Sequence, residues 1–376
     1  MKNKKLFEAF SLGGLDLQNR LVMAPLTRQR SSKGNVPNRL MAEYYKQRSS
    51  AGLIITEGAQ ISWQGYGYYD APGIHTEQQL KGWKNVTKEV HRKNGRIFLQ
   101  LWHVGRHSHP YYQEDGKLPV APSAIKENGH IRVPEGKLDT ITPHALERTE
   151  IASIVEDYHQ ATLNAREAGF DGVEIHAANG YLIDQFLHDG SNQREDEYGG
   201  SIANRLRFMK EVLESVCDAW EPARVGIRLS PSGQHGDMHD KNPRELFTQA
   251  IKELNQYRLA YLHLVEPLND VSKLENYVKE VAKYYREFYE GTLISCGGYT
   301  PRSAEQALQE GIANLIAFGR LFIANPDLPE RIRRDAGLND WDTETFYGGD
   351  AKGYTDYPFL KKEGGENLNI RYCCKT

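Results

Sequence analysis

The feature that most constrains this chain is a regular alternation of short apolar runs with helical patterns. Eight runs are almost continuously apolar, as strands are when both of their faces are buried. They lie at 21–26, 53–57, 96–101, 172–176, 224–229, 261–265, 291–296 and 314–318. Strands that alternate with helices indicate a parallel sheet with helical crossovers. Eight such units predict an α/β fold of the (β/α)8 TIM barrel class.

The segments between the runs carry helix signals. Residues 151–168 place apolar side chains on one face with a 3.6-residue period. Asn242-Pro243 and Thr300-Pro301 each have the cap and first-turn residues of a helix start, and Gly311 ends the second helix. The alternative is an open doubly wound sheet, but no G-x-G-x-x-G motif follows the first run.

We predict one domain over residues 1–376, because no low-complexity linker divides the chain. Two apolar pieces flank Gly13-Gly14, which predicts an N-terminal β-hairpin within 6–18. Residues 103–148 are turn-rich and form a long insertion after the third strand. Insertions of this kind commonly serve an active site.

Composition excludes several classes of protein. The net charge of −3 argues against nucleic-acid binding. Four cysteines without C-x-x-C spacing favour a reducing compartment and no metal cluster. The sequence has no run of about 18 apolar residues, so we expect no membrane span. Its basic N-terminal stretch is a poor signal peptide. We therefore expect a cytoplasmic protein that acts on small molecules.

The run at 172–176 ends in an unusual group of polar side chains. His176, Asn179 and Tyr181 follow one another within six positions. All three donate hydrogen bonds, and tyrosine also carries an exchangeable proton. A barrel places its active site at the carboxyl ends of its strands. The alternative is a solvated turn with His176 bound to the backbone.

Other strand ends carry further candidates. Arg228 lies within an apolar strand, where a guanidinium is costly unless it meets an anion or carbonyl oxygens. The alternative is a salt bridge with Glu174 or Glu57. Gln100 offers an amide suited to a heterocyclic imide, or it is a satisfied core amide. The glycines at 297–298 and 319, with Arg320, lie where barrels bind phosphate.

In these motifs the chain resembles the old yellow enzyme family of FMN-dependent ene-reductases. The matching pieces are 19–27, 100–106, 176–182, 184–187, 194–201, 204–205, 318–320 and 346–347, in one order along the chain. The resemblance implies non-covalent FMN, reduced by NADPH or NADH. It also implies hydride transfer to alkenes activated by carbonyl or nitro groups, such as enones, maleimides and nitroalkenes.

The resemblance also implies a role for each matched residue. Thr27 would hydrogen-bond the flavin, Gln100 would bind its pyrimidine edge, and Arg228 would stabilise its reduced form. Pro25 and Ala59 would line the ring, while Gly298, Gly319 and Arg320 would bind phosphate. His176 and Asn179 would hold the substrate oxygen, and Tyr181 would protonate carbon. Tyr68, Trp102 and Tyr347 would contact substrate at the mouth. Asn179 stands where many relatives carry a second histidine.

Some alternatives stay open at this point. Tyr68 belongs either to a solvated loop or to the substrate site. His103, His107 and His109 have metal-like spacing but no suitable carboxylate or cysteine partner, so we expect no metal. A flavin-binding barrel without catalysis, or a phosphate-dependent aldolase or isomerase, would use the same fold. An aldolase needs a Schiff-base lysine, and these strand ends carry none. We expect a monomer or a homodimer.

Overall fold

The computed structural model describes residues 4–361. Its strands, in chain order, are β1 (Phe10–Leu12), β2 (Leu15–Leu17), β3 (Leu21–Met23), β4 (Leu53–Gln60), β5 (Ile97–Trp102), β6 (Val120–Ala121), β7 (His130–Val133), β8 (Gly136–Asp139), β9 (His144–Ala145), β10 (Gly172–His176), β11 (Val225–Leu229), β12 (Tyr261–Val265), β13 (Leu293–Cys296) and β14 (Leu315–Phe318). Cys373 and Cys374 lie outside the described residues.

The helices complete the alternating pattern. They are α1 (Arg39–Gln47), α2 (Glu77–His91), α3 (Arg148–Glu167), α4 (Leu182–Leu187), α5 (Ile202–Arg205), α6 (Arg207–Ala219), α7 (Pro243–Leu254), α8 (Val281–Tyr285), α9 (Pro301–Gln309), α10 (Arg320–Ala324) and α11 (Leu328–Arg333). Two predicted starts are confirmed: the side chains of Asn242 and Thr300 cap α7 and α9.

Eight strands close into the predicted barrel. β3, β4, β5, β10, β11, β12, β13 and β14 are hydrogen-bonded in this order, and β14 pairs with β3. Every pair is parallel. All eight strands fall on the apolar runs in the sequence, because a strand buried on both faces has no polar face to show.

The predicted N-terminal hairpin is also confirmed. β1 and β2 pair antiparallel around Gly13-Gly14. Leu12 and Leu17 pack in one buried cluster with Val22, Phe98 and Tyr261, which come from three barrel strands. A second and larger cluster fills the space between the barrel and its helices. The hairpin therefore packs on the barrel interior, and the other end of the barrel stays open for a site.

The insertion after β5 has its own small strands. β7 and β8 form an antiparallel hairpin, and β6 pairs with β9. Short 3-10 turns at Pro110–Tyr112 and Glu114–Gly116 are its helical parts among the described residues. In the described structure the insertion has no α-helix before α3, which begins at Arg148.

Candidate active site

The conformation of the turn after β10 is fixed by its backbone torsion angles and by hydrogen bonds to side chains. Asn179 has a φ of 60° and Gly180 a φ of 77°, in the left-handed region that asparagine and glycine tolerate best. The main-chain N–H of Asn179 donates to Ser230 Oγ at 2.8 Å, and that of Gly180 to Asp184 Oδ2 at 2.8 Å. This turn carries Tyr181 to the start of α4, next to His176.

His176 is 4% exposed and is surrounded by aromatic rings. Its ring centre lies 4.9 Å from that of Tyr181 and 6.1 Å from that of Trp102. Burial, aided by the charge of Arg228, holds the pKa of His176 well below its ordinary value. The imidazole is therefore neutral at physiological pH and donates through one nitrogen only. Within the described residues its Nδ1 has no hydrogen-bond partner.

Tyr181 shares a hydrogen bond with a second tyrosine. Its hydroxyl oxygen lies 2.9 Å from that of Tyr68, which reaches the mouth from the loop after β4. Burial raises the pKa of both phenols, so both are protonated at neutral pH. This contact favours the hypothesis that Tyr68 belongs to the substrate site over the alternative that it lies in a solvated loop. A protonated phenol beside two further donors is the arrangement needed to donate a proton to carbon.

Within the described residues, Arg228 does not form the salt bridge with Glu174 or Glu57 that the sequence left as an alternative. In the part of the chain that the structure describes, no ion pair joins it to Glu174 or Glu57. Its Nη2 lies 3.8 Å from Cys296 Sγ, and its buried Nε has no partner. The guanidinium is only 8% exposed. A buried cation that forms no ion pair within the described residues is suited to an anionic or carbonyl-rich ligand.

Gln100 is not a free amide. Its Nε2 donates to Glu174 Oε1 at 2.8 Å, and Glu174 Oε2 lies 2.8 Å from His263 Nδ1. Glu174 and His263 were not predicted from the sequence as members of the site. The signal that singled out Arg228 also applies to them, because each is an ionisable side chain inside an apolar strand.

Thr27 lies in the loop between β3 and α1, and a buried carboxylate holds this loop. Glu57 Oε2 accepts the main-chain N–H groups of Arg28 at 3.1 Å and Gln29 at 3.3 Å, immediately after Thr27. A register shift between Ile55 and Gly58 in β4 accompanies this arrangement. Thr27 is half-buried, and no hydrogen bond joins its hydroxyl to another residue within 4–361. Pro25, in the same loop, and Ala59, in β4, are both buried.

The phosphate candidates lie at the ends of β13 and β14. Gly298 has a φ of 71° and no atom within 4 Å of where a Cβ would lie. Gly319 precedes α10, whose first residue, Arg320, is exposed. Within the described range Arg320 forms no ion pair. Open backbone beside an unpaired guanidinium suits a phosphate group.

Trp102 and Tyr347 occupy different layers of the mouth. Trp102 is 1% exposed and packs on Gly58, where a Cβ would lie 2.4 Å from its ring. It therefore stands behind His176 and Tyr181. Tyr347 is 49% exposed, and the Arg132 guanidinium of β7 lies 5.9 Å from its ring centre.

The insertion contributes His107, whose spacing in the sequence was weighed only for metal binding, and it brings Glu127 beside it. His107 Nδ1 lies 2.8 Å from Glu127 Oε1, and the His107 ring stacks on Tyr68 with ring centres 5.5 Å apart. His144, by contrast, pairs with Glu150 at the surface. Among the described residues no three His, Cys, Asp or Glu side chains are grouped so as to hold a metal ion.

The polar groups at the mouth fit FMN. Within the described residues Arg228 Nε has no partner, and with the free oxygen of Gln100 it would complement an imide edge. The open backbone at Gly298, together with Arg320, would suit a phosphate. A separate groove of about 700 Å³ runs between 122–125 and 193–196. Its Arg194 already pairs with Asp196.

In the described range, no helix is both long and apolar enough to cross a membrane.

Comparisons with known proteins agree with this geometry. The family model described as NADH:flavin oxidoreductase / NADH oxidase family matches residues 5–339. The protein named 12-oxophytodienoate reductase 7 of Oryza sativa subsp. japonica is 44% identical, over 96% of this chain and 95% of its own. Morphinone reductase in complex with tetrahydroNAD is 49% identical with a TM-score of 0.91, covering 96% of this chain and 99% of that chain. The old yellow enzyme homologue from Zymomonas mobilis is 42% identical with a TM-score of 0.91, covering 95% and 100%.

Proposed function

Because the chain belongs to the NADH:flavin oxidoreductase / NADH oxidase family, we propose that its barrel mouth binds FMN and an activated alkene through the residues described above. The chain is an FMN-dependent ene-reductase of the old yellow enzyme type, and a nicotinamide cofactor is its hydride donor. One observation carries the proposed division of roles. The ring centres of His176 and Tyr181 are 4.9 Å apart, and His176 lies opposite Arg228 in the barrel register.

On the cofactor side, bound FMN supplies a carrier that takes hydride from the nicotinamide and passes it to the alkene. Gln100 and Arg228 bind the polar edge of the ring, and the Thr27 hydroxyl donates to a ring carbonyl. Pro25 and Ala59 line the ring. The phosphate is held by Gly298, Gly319 and Arg320. The loop bearing Thr27 is pre-organised, because Glu57 accepts the next two main-chain N–H groups.

On the substrate side, His176 and Asn179 donate to the oxygen of the activating group. That oxygen gains negative charge as hydride adds to the alkene, so two fixed donors lower the barrier. Tyr181 donates the proton to the neighbouring carbon, and Tyr68 holds the Tyr181 hydroxyl. Trp102 packs behind His176 and Tyr181, and Tyr347 contacts substrate from the rim.

The chain is proposed to act as one domain over 1–376, with 103–148 as an insertion that shapes the mouth. Stacking of His107 on Tyr68 supports this role for the insertion. Proposed substrates are cyclic enones, maleimides and nitroalkenes, with 12-oxophytodienoate and morphinone added from the names of the relatives. NADPH or NADH donates hydride. We further propose that the protein is cytoplasmic, that it is a monomer or a homodimer, and that it has no nucleic-acid partner.

The proposal is tested by purification followed by anaerobic assay. The protein should be yellow, and heat or acid should release free FMN. Anaerobic NADPH or NADH should bleach the flavin, and a cyclic enone should restore its colour. Covalent flavin, FAD in place of FMN, or bleaching without reoxidation by any alkene of the three classes would contradict it.

A further inference from the structure

Glu174 is a buried carboxylate for which the proposed chemistry has no use. It lies on β10 between Gln100 on β5 and Gly226 on β11 in the barrel register. We propose that Glu174, held by His263, is a positioning residue that fixes which atoms of the Gln100 amide face the imide edge of the cofactor. This inference rests on the proposed role of Gln100.

The contact between Glu174 and Gln100 determines the orientation of the amide. Glu174 Oε1 lies 2.8 Å from Gln100 Nε2, and the two residues are 0% and 2% exposed. An ionised carboxylate only accepts hydrogen bonds, so the amide atom that faces it must be the nitrogen. The Gln100 oxygen and one amide proton are then left for a ligand. An imide presents an N–H next to a carbonyl, which this donor and acceptor pair complements.

His263 keeps the carboxylate ionised. Its Nδ1 lies 2.8 Å from Glu174 Oε2, and both side chains are fully buried. Burial alone would raise the pKa of Glu174, but His263 and then Arg228 outweigh it and lower that pKa. The same contact raises the pKa of His263 against the opposing effect of burial. A protonated carboxyl would carry an O–H donor and allow the amide to turn over, so this pair removes that alternative.

The isosteric variant Glu174→Gln tests the idea. A glutamine at this position offers both N–H and carbonyl groups, so either orientation of the Gln100 amide becomes possible. FMN affinity is measured by quenching of flavin fluorescence on titration of the full-length apoprotein. We expect Glu174→Gln to weaken FMN binding by about threefold to tenfold, the effect of one hydrogen bond.

A double-mutant cycle separates positioning from a general structural effect. Gln100→Leu should weaken FMN binding by itself, and adding Glu174→Gln to it should cause no further loss. Losses that multiply in the double variant would overturn the proposal, because Glu174 would then act without Gln100. His263→Gln should give a smaller loss than Glu174→Gln, and that loss should also vanish in the Gln100→Leu background.

Two controls keep the outcomes distinct. Thermal unfolding of each apoprotein reports whether a variant is folded, and if Glu174→Gln is not, the His263→Gln cycle decides the question alone. A wild-type protein that does not bind FMN would refute the proposed function. A wild-type protein that binds FMN and is weakened by Gln100→Leu, but not by Glu174→Gln or His263→Gln, would refute only the role of Glu174.

Discussion

The hydroxyl oxygens of Tyr68 and Tyr181 lie 2.9 Å apart, so the two phenols are hydrogen-bond partners at the barrel mouth. Tyr68 comes from the loop after β4 and Tyr181 from the turn after β10. Burial raises the pKa of each above the ordinary tyrosine value, and both therefore keep their protons at neutral pH. When Tyr68 donates in this bond, the Tyr181 proton is left for a substrate in a site where the His176 ring centre lies 4.9 Å from that of Tyr181.

Tyr181→Phe should separate the two halves of the reaction. The change keeps the ring and removes the proton donor, so flavin reduction by nicotinamide should persist. Enone reduction should fall by about 10²–10⁴ if general-acid catalysis is lost. Nitroalkenes should lose less, since their anionic intermediate is more stable. Stopped-flow measurement of each half-reaction checks this, with Tyr68→Phe as the matched control, for which we expect a smaller loss. Loss of flavin reduction with intact enone turnover would reverse the assignment.

Arg228→Met should lower the flavin reduction potential and weaken FMN binding. The guanidinium has no ion-pair partner among the described residues, so its charge is available to stabilise the anionic reduced cofactor. Potentiometric titration and FMN titration measure both effects. Arg228→Lys, which retains a cation, should lower the potential less. An unchanged potential and an unchanged affinity in Arg228→Met would mean that this charge serves only the barrel interior.

Thr27→Ala should slow flavin reduction by nicotinamide. The Thr27 hydroxyl is unpartnered in residues 4–361, and one hydrogen bond to a charged group contributes about 1.5–3 kcal/mol. Its loss makes the flavin a poorer electron acceptor. Anaerobic stopped-flow reduction measures the rate, and Thr27→Ser, which keeps the hydroxyl, is the control. A faster reductive step in Thr27→Ala would be inconsistent with this role.

His103 should make the protein less stable in acid. Burial lowers its pKa from about 6.5 to about 3, and its Nδ1 accepts the Gly105 N–H. Between those two values the unfolded chain binds a proton that the folded chain excludes. Folding stability is therefore full above pH 6.5 and falls as the pH drops towards 3. The contribution lost by pH 5 is about 2 kcal/mol.

The variant His103→Asn isolates this effect, because an asparagine oxygen can still accept the Gly105 N–H. Urea unfolding at pH 7 and pH 5 measures the free energy of unfolding of both proteins. We expect the variant to lose about 2 kcal/mol less than wild type between the two pH values. Equal losses would assign the acid sensitivity to other groups, such as His176.

Local patterns in the sequence were enough to predict the barrel. Strands buried on both faces must be apolar along their whole length, so all eight could be located without knowledge of their neighbours. Asn242 and Thr300 marked helix starts because capping depends on a few adjacent residues. Arg228 drew attention because a buried guanidinium is costly wherever the strand lies.

Only the tertiary structure decided how distant residues share the site. The sequence placed Trp102 at a strand end, where β5 does end, but only the fold shows that its ring packs on Gly58 and lies beside His176 and Tyr181. Glu174 reaches Gln100 on one neighbouring strand and His263 two strands away on the other side, a relation that exists because β5, β10, β11 and β12 lie side by side in the barrel. Periodicity and capping act over a few residues of one segment. Which side chains meet across a barrel depends on register, curvature and packing, and these are properties of the whole fold.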